Sequence, residues 1–251
     1  YAFAVLGSGQ LEHLYYGRKL HANEAVMTEK HTFIPGNTNV YNKDYSSYSL
    51  EDVCLEMSSL GKGDIREPFI EVTYPNGSST TDMVFDRAEI IQGKEEYDTL
   101  PGSYDDNGEV EQLVIYLKDR NYNLTLEIHY YVYEKCDIIT RSAKLVNSGN
   151  ESVRLERLMS MQLDLNESDY ELSFFNGAWA REMNRSRIPI RAGKYVNESV
   201  TGTSSNRANP FFMIGRSSTT EDYGECYGFN LIYSGNHYEA AQVNSYGKLR
   251  L

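Results

Sequence analysis

Apolar and polar residues alternate in short runs along most of the chain. The clearest run is 123–134, where every second residue is apolar: Leu124, Leu126, Ile128, Tyr130 and Val132. Period two is typical of a strand with one face in a core. Residues 67–85 predict two strands around a Pro-Asn-Gly turn, because Asn-Gly readily adopts the positive φ angles of a tight hairpin.

Helical periodicity is scarce. Residues 49–57 predict about two helical turns, with Ser49 as the N-cap and acidic residues in the first turn. Strands do not alternate with helices along the chain, and no repeat of fixed length is visible. Many strands separated by turn residues, such as the turn at 147–152, predict an all-β fold: a large antiparallel sandwich, treated as one domain.

One long segment, residues 21–66, departs from the strand pattern. It is polar and rich in Tyr, Asn, Asp and Ser. A loop of this length inside a compact domain is usually functional or interfacial. We therefore expect this segment to lie at a contact surface.

The charge of the chain limits its partners. The sequence has 36 acidic and 24 basic residues and a net charge of −12. Nucleic acid and anionic membranes attract basic surfaces, so neither is expected as a partner. No apolar segment has the length of a membrane-spanning helix. Both ends of the sequence fall inside a strand pattern, so we expect the chain to be truncated at both ends and part of a longer polypeptide.

The three cysteines, Cys54, Cys136 and Cys226, are far apart, and no Cys-x-x-Cys pair occurs. This spacing argues against a zinc site or a redox dithiol. We expect the cysteines to be small buried apolar residues in a reducing compartment.

The chemistry-bearing residues form no recognisable catalytic motif. The five histidines lack metal-ligand spacing, and His129, on a predicted strand between polar neighbours, is expected to be a satisfied structural residue. No nucleophile elbow and no phosphate-binding loop occurs. Adjacent acidic pairs in predicted turns are expected to be solvated surface charge. The sequence thus predicts no catalytic residue, no metal site and no cofactor.

Four long motifs occur in order toward the end of the chain: ITRSAKLVNSGNESVRLERLMSMQLDL, DYELSFFNGAWARE, GTSSNRANPFF and GECYGFNLIYSGN. Together with LEHLYYG and GKGDIREPFIEV nearer the start, they resemble the N-terminal domain of bacterial α-galactosidases of glycoside hydrolase family 36. The resemblance implies a β-supersandwich of the galactose mutarotase type with little helix, formed by residues 1–251 as a single domain. A catalytic (β/α)8 barrel and a small C-terminal β domain would follow it. The two catalytic aspartates of the family lie in that barrel, so this chain alone should be inactive.

The resemblance also implies partners: the chain's own catalytic barrel, identical subunits in a tetramer, and α-galactoside sugars. In the family the long early loop reaches the active-site mouth of a neighbouring subunit. Lys30 and Ser46 stand where relatives carry an acid and an arginine, so those roles are not carried over. Asp44 and Tyr45 are the nearest candidates for substrate contact. The alternative is that this loop has only a structural role.

The only tryptophan of the chain, Trp179, lies in the polar stretch GAWAREMNRSR. Trp179, Arg181 and Arg185 near a strand end suit an anchor at a domain or subunit interface, where Trp and Arg are enriched. The alternative is local packing, with Arg181 stacked on the indole ring.

Two other functions stay open at this point. The chain could be a stand-alone carbohydrate-binding module, since tyrosine-rich sandwiches bind sugars by stacking. The complete enzyme could also prefer α-N-acetylgalactosamine over galactose. The expected location is the bacterial cytoplasm.

Overall fold

The computed structural model describes residues 1–21, 24, 31, 41–46 and 49–251. The described residues are nearly all-β, as predicted, and their strands pair in antiparallel fashion within each sheet. The strands are β1 (Ala2–Val5), β2 (Leu11–Tyr15), β3 (Ile70–Thr73), β4 (Met83–Gln92), β5 (Glu111–Asp119), β6 (Leu124–Tyr133), β7 (Ile138–Asn147), β8 (Arg154–Leu158), β9 (Asp164–Leu165), β10 (Glu171–Ala178), β11 (Arg181–Pro189), β12 (Gly193–Ser199), β13 (Phe211–Gly215), β14 (Cys226–Asn230), β15 (His237–Val243) and β16 (Leu249–Arg250). Two short 3₁₀ helices occupy Leu50–Asp52 and Glu134–Cys136. Within the described ranges, no helix is long and apolar enough to cross a membrane.

The chain divides into two compact units. Unit 1 contains Tyr1–Glu95 and Ser103–Asp164, and unit 2 contains Glu96–Gly102 and Leu165–Leu251. The sequence predicts one domain over 1–251, and that assignment stays a prediction.

Unit 1 is built around a four-stranded antiparallel sheet in the order β4-β5-β6-β7. Ile128 and Leu126 of β6 lie opposite Ile115 and Leu117 of β5, and all four side chains are buried. The remaining unit 1 strands pair as β1-β2 and β3-β8. The alternation in 123–134 therefore places Leu124, Leu126, Ile128 and Tyr130 in the core, as predicted.

Strand β6 departs from the prediction on both of its faces. His129 and Tyr131, expected on a polar face, are buried, whereas Val132 is exposed. Tyr131 packs beside His129, whose Nδ1 lies 2.6 Å from Nε2 of Gln112. Burial lowers the pKa of His129, although Glu95 and Glu127 act in the opposite direction. His129 is thus a satisfied structural residue, as expected.

Two local predictions were wrong. The Pro-Asn-Gly turn exists, with φ of 82° at Gly77, but β3 and β4 on either side of it pair with β8 and β5 rather than with each other. The segment 49–57 forms only the short 3₁₀ helix Leu50–Asp52, whose N-cap Ser49 accepts a hydrogen bond from the backbone N–H of Glu51. The chain is extended again at Val53.

A fully buried arginine, Arg66, fixes the segment after this 3₁₀ helix. Its guanidinium lies 2.9 Å from Asp64 and 3.2 Å from Asp164, and it donates to the carbonyl oxygens of Leu50 and Val53. A buried charge is tolerated only when it is paired and hydrogen-bonded. Arg66 therefore joins chain segments that are distant in sequence within unit 1.

Unit 2 contains a sheet in the order β11-β10-β13-β14 and a second in which β12 pairs with β15 and β15 with β16. Phe174 of the first sheet packs against Tyr195 of the second, with ring centroids 4.8 Å apart. Leu172, Phe174, Phe212 and Ile214 are buried. Strand β13 begins at Phe211.

None of the three cysteines forms a disulfide with another, and only Cys54 is buried. Cys136 and Cys226 are exposed, which corrects the expectation that all three are buried.

Candidate functional site

The predicted substrate-contacting residues lie on a short turn in unit 1, residues 41–46, which we call the rim turn. Asn42 shapes it, because its side-chain oxygen accepts hydrogen bonds from the backbone N–H groups of Asp44 (2.9 Å) and Tyr45 (3.0 Å). Asparagine favours turns because its side chain can bond to the backbone two residues further on.

Tyr41 anchors the start of the rim turn. Its hydroxyl donates to Oδ1 of Asp82 (2.8 Å) and accepts from Nε2 of Gln10 (3.2 Å). Lys62 pairs with the other oxygen of Asp82 at 3.1 Å and lies 4.8 Å from the centroid of the Tyr41 ring. Burial raises the pKa of Tyr41, and Asp82 adds to the rise. Tyr41 is therefore a neutral donor at physiological pH.

The structure gives Asp44 and Tyr45 different roles. The Tyr45 hydroxyl donates to the carbonyl oxygen of Gly7 (2.5 Å), so this side chain holds the turn in place. Asp44 is exposed, and its carboxylate has no partner among the residues that the structure describes. Of the two other positions considered, Ser46 is exposed and Lys30 lies outside the described residues.

Trp179 lies at the tip of the hairpin between β10 and β11, residues 177–184, which we call the Trp hairpin. The backbone of Ala180 has a positive φ of 60°, which is uncommon for a non-glycine residue. Two hydrogen bonds support this geometry: the Ala180 N–H donates to Oε1 of Glu182, and Nδ2 of Asn184 donates to the Arg181 carbonyl, both at 2.8 Å. The tip is therefore held by local bonds.

Gly177 is required at the base of the Trp hairpin. A Cβ atom there would lie 2.8 Å from the Arg181 carbonyl oxygen and 2.9 Å from the Cα of Glu182. Contacts this short with backbone atoms cannot be relieved by rotating a side chain. The close approach of the two strands explains the glycine two residues before the tryptophan.

The Trp179 side chain is 92 % exposed, and Arg181 and Arg185 are also exposed. Among the described residues, no aromatic ring or cation contacts the indole of Trp179. Arg181 therefore does not stack on it. Met183, on the same hairpin, is 56 % exposed. Tryptophan, methionine and arginine are the residues enriched in protein interfaces.

The outer face of the sheet next to this hairpin carries half-buried apolar side chains that were not predicted from the sequence. Arg185 lies directly opposite Phe175, and the Phe175 ring is 5.7 Å from that of Phe211. Phe175, Phe211 and Met213 are half-buried, although the neighbouring Phe174 and Phe212 face the core. The adjacent phenylalanine pairs were the available signal, because a strand directs successive side chains to opposite faces.

The Glu56 carboxylate of unit 1 is fully buried and therefore not accessible to a ligand. Glu56 is completely buried and accepts hydrogen bonds from the hydroxyls of Tyr1 and Tyr130, and Nδ1 of His13 lies 2.7 Å away. Burial alone would raise the pKa of Glu56, but the His13 hydrogen bond and the Arg141 charge outweigh it and lower the pKa. This cluster is structural.

Unit 2 has a half-buried carboxyl group, Glu239, on β15. It lines an apolar cavity of about 10 Å³ with Leu172, Phe174, Tyr195 and Phe212. Burial raises the pKa of Glu239 to about 7, and a 2.7 Å hydrogen bond from Asn197 opposes this rise. The cavity has room for one water molecule and no substrate.

Among the described residues, no group of three or more His, Cys, Asp or Glu side chains could hold a metal ion.

Comparison with known proteins identifies the class of protein to which this chain is similar. The α-galactosidase crystal structure from Lactobacillus brevis superposes with a TM-score of 0.93 at 34 % identity, over 99 % of this chain and 34 % of that one. The α-galactosidase AgaA of Geobacillus stearothermophilus is 34 % identical over the whole of this chain and 34 % of its own length. The chain is thus similar to part of a glycoside hydrolase and spans about a third of the length of these relatives.

The family model named glycosyl hydrolase family 36 N-terminal domain matches residues 9–251. The chain belongs to this family. Another relative, the α-galactosidase Mel36A of Lactobacillus acidophilus, is 32 % identical over the whole chain and 34 % of its own length.

Proposed function

We propose that the chain is the non-catalytic N-terminal domain of a retaining α-galactosidase that hydrolyses terminal α-galactosides of the melibiose and raffinose type. The observation that carries this proposal is the match of nearly the whole chain to one third of several α-galactosidases. One relative, AgaA A355E D548N from Geobacillus stearothermophilus, has a crystal structure in complex with raffinose. Cysteines that form no disulfide with one another agree with a reducing compartment such as the bacterial cytoplasm.

An activity assay tests the enzymatic part. The full-length polypeptide should hydrolyse an aryl α-galactoside, and residues 1–251 alone should not. Hydrolysis by residues 1–251 would overturn the assignment of the chemistry to another domain. Faster turnover of the aryl α-N-acetylgalactosaminide by the full-length polypeptide would reassign the substrate.

We further propose that the Trp hairpin anchors this domain on a neighbouring domain or an identical subunit. The support is an exposed Trp179 on a locally braced hairpin beside Arg181 and Arg185. Such a side chain contributes to stability only when something covers it.

The test is Trp179→Ala in the full-length polypeptide, with Tyr223→Ala as the control because Tyr223 is another largely exposed aromatic residue of unit 2. Light scattering should show a smaller assembly, or thermal unfolding a lower transition, for the Trp179 variant only. Equal behaviour of the two variants would contradict the interface.

The rim turn is proposed to border an active site of a neighbouring subunit through Asp44. The support is an exposed carboxylate on a turn that Tyr41 and Tyr45 hold in place. Asp44→Asn should raise KM for raffinose severalfold with little change for an aryl galactoside. Asp106→Asn, at an exposed turn of the same unit, is the control. An unchanged KM for raffinose would leave the rim turn a structural role only.

A further inference from the structure

Three turns of unit 1 surround a groove of about 350 Å³. They are residues 74–78, 119–123 and 147–151, which we call the groove turns. The backbone N–H of Ser148 donates to the Asn123 carbonyl (2.9 Å) and joins the second turn to the third. The polar and aromatic lining comes from Tyr74, Tyr122, Asn121, Asn123, Asn150 and Glu151.

Each groove turn is braced by its own hydrogen bonds. Oδ1 of Asp119 accepts from the N–H groups of Asn121 (2.8 Å) and Tyr122 (3.0 Å). Asn147 accepts from the Gly149 N–H and donates to the Glu151 carbonyl, both at 2.9 Å. The walls are therefore ordered without a ligand, which reduces the entropy lost on binding.

The first groove turn holds an aromatic wall. Oδ1 of Asn76 accepts from the Ser78 N–H, and its Nδ2 donates to the Tyr122 hydroxyl, both at 3.0 Å. The Tyr122 ring stacks on Tyr74 with centroids 3.5 Å apart and an interplanar angle of 11°. Because Tyr122 is only half-buried, it gives the groove an apolar surface with a fixed orientation.

Four polar side chains in the lining have no bonding partner. Asn121, Asn123, Asn150 and Glu151 are exposed, and none of their side chains has a hydrogen bond or ion pair among the described residues. Each amide offers donors and an acceptor side by side, and the carboxylate offers two acceptors. This arrangement complements adjacent hydroxyl groups, each of which donates and accepts.

The charge of the groove lining limits the kinds of ligand that the groove can bind. Among the residues that the structure describes, no Lys or Arg lines the groove, and Glu151 is the one charged residue in the lining. Phosphates and other anions are therefore disfavoured. The volume lies near the lower end of the roughly 300–1,000 Å³ typical of small-molecule sites, which suits one or two hexose rings.

We infer that this groove binds a neutral carbohydrate, with sugar hydroxyls on the three asparagines and Glu151 and an apolar sugar face against Tyr122. The choice of a galactoside as the probe rests on the proposed function. The groove itself is defined by residues of unit 1 alone.

Carbodiimide footprinting of Glu151 in the full-length polypeptide tests this inference at the site itself. Glu151 is exposed and reacts with carbodiimide and an amine, and peptide mass spectrometry reports the extent of labelling. Raffinose should protect Glu151 severalfold, whereas ethylene glycol at equal concentration should not. Glu221, an exposed carboxylate of unit 2, serves as the internal control and should label equally throughout.

A variant pair completes the experiment. Asn121→Ala combined with Asn123→Ala should raise the raffinose concentration needed for protection about tenfold, through loss of two side-chain hydrogen-bonding groups. Asn107→Ala, on another exposed turn of unit 1, should leave it unchanged. Absence of protection in the unaltered protein, or equal protection in both variants, overturns the inference. The aryl galactoside assay on the unaltered protein separately reports failure of the proposed function.

Discussion

Replacing Glu239 by glutamine is predicted to change how the stability of the chain depends on pH. The Glu239 carboxyl lies against the apolar cavity of unit 2, where burial raises its pKa from 4.5 to about 7 and Asn197 offsets only part of the rise. The folded chain therefore keeps a proton on Glu239 at pH values where the unfolded chain has released it. Linkage between protonation and folding makes this a stability effect.

The magnitude follows from the two pKa values. Their difference, about 2.5, is worth about 3 kcal/mol, because each pKa unit corresponds to about 1.4 kcal/mol. The folded-state pKa is the higher one, so this stabilisation is fully present below pH 4.5 and declines as the pH rises. It is lost once the pH exceeds about 7. Glutamine carries no proton to lose, so the variant should lack this part of the pH dependence.

Urea unfolding of wild-type and Glu239→Gln chains at about pH 4.5, 6 and 8 measures the effect. The free energies of unfolding should nearly coincide at the lowest pH, and the variant should be more stable by about 3 kcal/mol at the highest. Glu221→Gln, an exposed carboxylate of the same unit, is the matched control and should show no such trend. A difference between variant and wild type that stays constant across the three pH values would refute the reasoning.

Three further predictions concern buried charge and backbone contact. Arg66→Ala should lower the free energy of unfolding by about 3–5 kcal/mol, because it leaves buried carboxylates unpaired. Arg154→Ala, at an exposed ion pair, should change the free energy of unfolding little, and urea titration measures both variants. Gly177→Ala should lower the free energy of unfolding by about 1–3 kcal/mol. Gly228→Ala should be tolerated, because its Cβ would lie 3.7 Å from the nearest atom. Equal melting temperatures of the two variants would contradict this prediction. Glu56→Gln should lower the free energy of unfolding at neutral pH. As the pH falls through the lowered folded-state pKa of Glu56, the variant should lose less stability than the wild-type chain, because glutamine takes up no proton. Acid titration followed by circular dichroism measures this difference.

Strand content was predictable from sequence because period two is a local property. The alternation through Leu126 and Ile128 identified both the strand and its core face. Strand pairing was less accessible, because it depends on contacts between distant residues. Ile70 pairs with Leu158, and nothing near the Pro-Asn-Gly turn indicates that partner.

The candidate site shows the same limit. The polar neighbours of Trp179 favoured an interface anchor, which stays a prediction, and the exposure of its side chain is visible only in the structure. Asp44 and Tyr45 were equivalent in sequence, but only the fold shows that the Tyr45 hydroxyl is bonded to the Gly7 carbonyl and that the Asp44 carboxylate is open. The Gly7 contact links residues from different segments, so no local spacing predicts it.

The interleaved order of the two units has a consequence for synthesis on the ribosome. Unit 1 has its complete set of residues once Asp164 has emerged, whereas unit 2 requires Leu165–Leu251 as well as the earlier segment Glu96–Gly102. Domains tend to fold as units, beginning with those completed first during translation. The segment Glu96–Gly102 therefore lacks the rest of its unit until Leu165–Leu251 has been translated, and we expect it to be more open to chaperones and proteases during that interval than in the folded chain.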